Sequence, residues 1–288
     1  MNKVGGEMTL DNQYFYVYAF SEARSDEKNE LEEVQGIEEG TFVEMLTFGD
    51  LAAVVCRVPA EDYEEETLKS QLENINWLQT RAFHHHELMN YLHSRMTIVP
   101  LKFGTIYKNT ESLKKAINAK QDTLSKALGF LKDKEEWNVK IFVDQAQFFE
   151  QEDDLKREIK EKREEIDHLS KGKRFFAQKK LDQYIEGMIQ EKIDLYCESL
   201  HEKLKVKSAR LEVKKNWNQQ VTGRDETMAW NSVYLIEADQ YREEFQQEIK
   251  DFQSDMNDKE IGLIVECTGP WPAYHFADVT SDPVEGVD

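Results

Sequence analysis

The stretch Ile98-Val99-Pro100-Leu101-Lys102-Phe103-Gly104-Thr105-Ile106-Tyr107 decides how the chain is read. A short β-branched run meets Pro100, which holds the residue before it extended and removes a ladder donor. Gly104 supplies a backbone position suited to positive φ or to a close neighbour. The other positions are mostly large and apolar or β-branched, so the stretch reads as a buried extended segment with a fixed kink. Asn109 and Thr110 offer N-caps for a helix after it, with Glu111 placed where the helix dipole favours a carboxylate. The segment therefore joins two helices through the core.

Outward from it, the first half reads as strands and helices. Tyr14–Phe20 is aromatic and β-branched and predicts a strand. Ser21–Glu39 holds eight acidic and two basic residues and reads as a solvated connection. Thr41–Phe48 and Leu51–Val58 flank Gly49-Asp50, a hairpin signal. Leu68, Leu72, Ile75, Leu78, Ala82, Met89 and Leu92 have helical spacing, as do Leu113, Ile117, Leu124, Leu128 and Leu131.

The second half opens with a strand at Val139–Val143. Gln151–Ser170 is nearly all charge, with Leu155, Ile159, Ile166 and Leu169 on one narrow stripe. After the turn Ser170–Lys173, Arg174–Leu204 reads as a long partner helix. Ala209–Trp217, Met228–Glu237 and Ile261–Cys267 predict strands, with a helix through Phe245, Ile249 and Phe252. The order from Val139 is βαββαβ, the ferredoxin-like arrangement, with its first helix expanded into an antiparallel hairpin at about 151–204. The expected architecture is α+β in two domains, residues 1–133 and 134–288.

Composition narrows the function. The chain has 288 residues, 40% hydrophobic and 33% charged, with 57 acidic against 37 basic and a formal charge of −20. That charge opposes non-specific binding to nucleic acid or anionic membrane. No run of about 20 apolar residues predicts a membrane span. No basic region followed by an apolar stretch marks a signal peptide. Cys56, Cys197 and Cys267 are few and widely spaced, the pattern of a reducing cytosol.

The chemistry-bearing candidates are sparse. His84-His85-His86-Glu87, with His93 beyond, lacks the i, i+4 pairing of a zinc helix. His86 lies between Ala82 and Met89 on the apolar stripe, so a hydrogen-bonded core histidine is expected there, and no metal. No nucleophile elbow, phosphate loop or dinucleotide fingerprint occurs, so neither catalysis nor a cofactor is expected. The Gly269-Pro270-Trp271-Pro272 run presents a large aromatic on a stiff extended backbone. It reads either as a seal folded back on the core or as a docking surface.

Two of these motifs carry a resemblance. Ile98–Tyr107 resembles the "vlPlrFGTvf" signature of the gas vesicle GvpL/GvpF family, and Thr268–Phe276 resembles its "GPWPPYsF" ending. Glu135–Lys140 is similar to "EWgvK", Gly172–Phe176 to "GraYL" and Asn231–Ile236 to "naYLv". Lys102 replaces a common Arg, Ala273 the second Pro and Phe176 the usual Leu. The resemblance implies two α+β domains, a ferredoxin-like variant in the first, and no catalysis. It implies a cytoplasmic accessory or minor structural protein that binds the small hydrophobic shell protein and other vesicle accessory proteins during assembly. The residues it singles out are Pro100, Phe103, Gly104, Gly269, Pro270, Trp271, Pro272 and Tyr274. The competing expectations are a scaffold that bridges accessory proteins alone, and a metal-dependent enzyme centred on His84–His86.

Overall fold

The computed structural model describes residues 12–23 and 31–277. Packing divides them into two compact units: one takes the residues up to Asp133 together with those from Trp271, the other is Lys134–Pro270. Part of the acidic connection read at Ser21–Glu39, residues 24–30, lies outside the described residues.

The first unit is an antiparallel sheet with helices. Its strands are β1 (Gln13–Glu22), β2 (Val43–Phe48), β3 (Leu51–Pro59), β4 (Ile98–Pro100) and β5 (Ile106–Tyr107). The order is β2-β3-β1-β4, with β5 also on β1. The β2–β3 hairpin turns at Gly49 with φ +68. β1 is central because all its inner positions are apolar, and Tyr16, Val17, Tyr18 and Ala19 are fully buried.

The Ile98–Tyr107 segment is two short strands, both on β1, around a turn. Phe20 pairs with Val99 and Phe15 with Tyr107. Between them the Leu101 N–H donates to the Tyr18 carbonyl at 2.9 Å, and the Val17 N–H to the Thr105 carbonyl at 2.9 Å. The β1 register shifts between Val17 and Ala19, on the strand opposite this turn.

Among the described residues its helices include α1 (Ala60–Tyr63), α2 (Glu65–Glu73), α3 (Ile75–His93), α4 (Thr110–Ala119) and α5 (Gln121–Leu131). The continuous helical spacing from Leu68 is broken at Asn74, whose side chain accepts from the Asn76 and Trp77 N–H groups and starts α3 afresh. Asn109 caps α4 in a reciprocal pair with Ser112. Leu88, Met89 and Leu92 of α3 pack on Tyr16, Tyr18, Val54 and Cys56.

The second unit has β6 (Lys134–Val143), α6 (Gln145–Gln151), α7 (Asp153–Asp167), α8 (Lys171–Lys205), β7 (Ser208–Val213), α9 (Gln219–Thr222), β8 (Thr227–Glu237), α10 (Ala238–Asp258) and β9 (Leu263–Trp271). Its sheet order is β7-β8-β6-β9. β8 pairs antiparallel with β6 and β7, Tyr234 lying opposite both Trp137 and Leu211. β6 begins before Val139 because Glu135 and Glu136 are buried within it. Glu135 holds the Arg242 guanidinium through both carboxylate oxygens, which satisfies a charge that hides the strand from a hydrophobicity reading. α8 runs back along α7: Arg174 meets Asp167, Tyr184 meets Glu158, and Lys192 and Tyr196 meet Glu152. The Ile141, Phe148, Leu200, Tyr234 and Phe245 side chains fill the core.

Candidate functional site

The candidate site of the first unit begins at the turn after β4. Pro100 is buried and ends the strand. The Thr105 hydroxyl donates to the Lys102 carbonyl at 2.7 Å, closing the turn. Gly104 sits at φ +79, where a side chain is strained, and its N–H donates to the Tyr16 hydroxyl oxygen at 3.1 Å. The Phe103 ring stands between Tyr16, Trp77 and His85, at centroid distances of 6.1, 6.4 and 5.6 Å.

His85, and not His86, is the core histidine. It is 5% exposed and lies on the α3 face of Leu88, Met89 and Leu92, three, four and seven residues on. Its Nδ1 is 2.9 Å from the Tyr16 hydroxyl and its Nε2 is 3.4 Å from the Tyr274 hydroxyl. The Tyr18 ring stacks on it at 5.7 Å. His86 is exposed, one position round the helix, where the Trp271 ring lies 5.0 Å from it. The spacing from Ala82 to Met89 pointed to the wrong residue because Ala82 is only half-buried and marks the edge of the buried face.

The tail completes the cluster. Pro272, Ala273, Phe276 and Ala277 are buried, and the chain turns through Tyr274 N–H to Pro272 carbonyl at 2.7 Å and Ala277 N–H to Ala273 carbonyl at 3.1 Å. Two motifs far apart in sequence therefore meet on α3. A neutral imidazole donates from one nitrogen and accepts at the other. With the Gly104 N–H on its oxygen, Tyr16 can donate to Nδ1, and in that tautomer Nε2–H faces the Tyr274 hydroxyl.

Burial sets the protonation of this cluster. It is the main cause pushing His85 down to about 4, followed by the neighbouring His84 and His86 charges. Burial likewise raises the Tyr16 and Tyr18 hydroxyls and the Cys56 thiol, which meets the Tyr18 hydroxyl at 3.3 Å. All four are neutral at pH 7. Beside them Glu38 accepts from Arg81 at 2.7 and 2.5 Å and from the Tyr63 hydroxyl at 2.5 Å, with Arg81 stacked over Trp77. Among the described residues no group of three or more His, Cys, Asp or Glu side chains is set to hold a metal ion, and no helix is long and apolar enough to cross a membrane.

The singled-out residues fall into two groups. Pro100, Phe103, Gly104, Trp271, Pro272 and Tyr274 lie in the first unit, where Phe103 and Tyr274 meet His85, Trp271 meets His86 and Gly104 meets Tyr16. Gly269 and Pro270 lie in the second. Gly269 has φ +145, and a Cβ there would come within 2.9 Å of the Glu136 carbonyl oxygen and of the Trp137 ring, so only glycine fits. Pro270 follows in a cis peptide and is exposed. Trp271 is the last residue of β9, so the motif continues the strand instead of following it. Sequence reasoning missed Tyr16, Tyr18 and His85. The available signal was the alternation of tyrosines through β1, at Tyr14, Tyr16 and Tyr18.

The family model described as gas vesicle synthesis protein GvpL/GvpF matches residues 14–278. The gas vesicle protein L of Streptomyces sp. (strain CB03234) is 27% identical over 240 residues, 83% of this chain and 85% of that protein. The crystal structure of GvpF from Anabaena sp. PCC7120 superposes with a TM-score of 0.68 at 18% identity, covering 92% of this chain and 98% of that one. GvpF from Microcystis aeruginosa gives a TM-score of 0.61 at 17% identity over the same shares. At these identities the two structures establish a shared fold.

Proposed function

The chain belongs to the gas vesicle synthesis protein GvpL/GvpF family, a membership that supports a role in gas vesicle assembly, and from that premise we propose that it acts by contact and not by catalysis. In this reading it binds the small hydrophobic shell protein and other vesicle accessory proteins in the cytoplasm while the vesicle is built. The observation that carries the reading is the closed cluster at His85. The family motifs converge there on packed, mutually bonded side chains, with His85 and both tyrosines held away from titration at neutral pH. Such a cluster fixes a surface. A soluble binder also suits a shell protein whose apolar surface is exposed before assembly, and a charge of −20 keeps such a binder dispersed.

Within this reading, Pro100, Phe103, Gly104 and Pro272 shape the first unit, and the part-exposed Trp271 and Tyr274 offer its contact surface. Gly269 and Pro270 set the exit of β9. Both units are ferredoxin-like variants; for the second, the β7-β8-β6-β9 order supports it. α7 and α8 are read as a helical hairpin inserted into that unit.

The test is co-purification of the full chain with the shell protein, with Trp271→Ala alongside. Capture by the wild type, reduced about tenfold in the variant at unchanged thermal stability, is expected. Capture of accessory proteins without the shell protein would sink the shell-binding reading and leave a scaffold.

A further inference from the structure

The start of α8 combines two independent features. The first is apolar. Phe175 and Phe176 are 72% and 70% exposed, with ring centroids 5.7 Å apart at 81°. Phenylalanine is a poorer helix former than the lysines, arginine and glutamine around it. Neither ring is repaid by core burial, so neither fold nor helix stability accounts for the pair.

The second is charge. From His168 to Leu181 the sequence has no Asp or Glu, in a chain with 57 acidic against 37 basic residues. α8 has no acidic residue in its first turn, where the helix dipole favours one. It carries Lys171, Lys173 and Arg174 there instead, all exposed, against the preference of the helix dipole. Among the described residues Arg174 alone of the three meets a carboxylate, that of Asp167.

We infer that this turn is a docking point for an acidic amphipathic helix of a protein partner, with Phe175 and Phe176 as apolar anchors and Lys171, Lys173, Arg174 and Lys180 as the cationic collar. The collar matches Asp and Glu flanking an apolar stripe, and paired aromatics at the centre with charge at the rim are the arrangement of a binding hot spot. A helix fits the footprint better than a lipid surface does. The positive residues are confined to Lys171–Lys180, α7 alongside holds seven acidic against five basic residues, and the net charge of −20 opposes an anionic bilayer. The inference rests on the assembly reading for the partner being a vesicle protein, and adds to it the partner's chemistry.

The experiment titrates the full chain into a fluorescein-labelled amphipathic peptide of about 18 residues, with leucines on one face and glutamates on the other. A counterpart with lysines for the glutamates is run beside it. The acidic peptide binds, the lysine peptide binds at least roughly tenfold more weakly, and F175S/F176S loses roughly tenfold in affinity. K171E/K173E loses as much, and salt weakens wild-type binding. All four substitutions lie at exposed positions, and circular dichroism checks that the fold is kept. Equal affinity of wild type and F175S/F176S overturns the inference. So does Phe-dependent sedimentation with vesicles of phosphatidylcholine and about 20% phosphatidylglycerol in the absence of peptide binding, which assigns the turn to membranes. Loss of shell-protein capture with peptide binding intact overturns the assembly reading alone; tip-independent peptide binding with capture intact overturns this inference alone.

Discussion

Both units set a helix histidine against a tyrosine of a strand with neighbours on both sides, and they use the pair differently. In the first, His85 of α3 meets Tyr16 of β1 at 2.9 Å; in the second, His201 of α8 meets Tyr234 of β8 at 2.8 Å. His201 is half-buried, and its ring leans on Trp230 at 5.2 Å. Its pKa is lowered by burial, with nearby Glu202 and Glu198 pulling the other way. His85 is sealed in, uses both nitrogens, and joins three segments distant in the chain: β1 with its Gly104 turn, α3 and the returning tail. The same pair is a local packing contact in one unit and a cross-link in the other. What differs is whether a third partner occupies the second nitrogen.

The comparison breaks most readily at the histidines themselves. His85→Ala leaves a cavity and strips the Tyr16 and Tyr274 hydroxyls of a partner, at a cost of about 3–4 kcal/mol. His201→Ala, at a part-exposed position, costs about 1 kcal/mol. Amide hydrogen exchange reads each unit separately, and equal loss of protection in the two would dissolve the distinction.

Acid sharpens it. His85 titrates near 4 when folded and near its ordinary 6.5 when unfolded. The unfolded chain therefore binds more protons between these values, and stability present above pH 6.5 is lost as pH falls towards 4. The slope is expected in the first unit and removed by His85→Gln; a wild-type slope that survives this change places the proton elsewhere.

Gly104→Ala tests the turn. With φ at +79 it costs about 1–2 kcal/mol and loosens the donor to Tyr16, measured as a lower urea midpoint. The smallest effect belongs to Tyr274→Phe. It removes one long bond of 3.4 Å and costs about 0.5–1 kcal/mol. A larger loss would make the tail contact the dominant member of the line.

Much of this was legible in the sequence, for identifiable reasons. β1, the β2–β3 hairpin and the Asn109 cap announce themselves through alternation, turn chemistry and a side-chain acceptor. The family motifs pointed to Phe103, Gly104 and Tyr274 without revealing that they share a partner. His85 was missed because adjacent histidines differ only in helical phase, and Ala82 gave a weak anchor for that phase. The helix breaks at Asn74 and Lys120 were missed because apolar spacing runs through both. The start of β6 was masked by Glu135 and Glu136, since a carboxylate satisfied across 107 residues by Arg242 looks like surface until the fold supplies its partner.

The return of the chain from Trp271 to the first unit has a temporal consequence. The second unit, Lys134–Pro270, is one uninterrupted stretch and can close as soon as it leaves the ribosome. The first cannot, because Tyr274 and Phe276 follow the inserted unit in the chain. At ordinary elongation speeds it waits on the order of ten seconds, lacking one partner of His85, while the inserted unit is synthesised. The surface on which Trp271 stands thus does not exist until the inserted unit has been synthesised, and the first unit stays open until then.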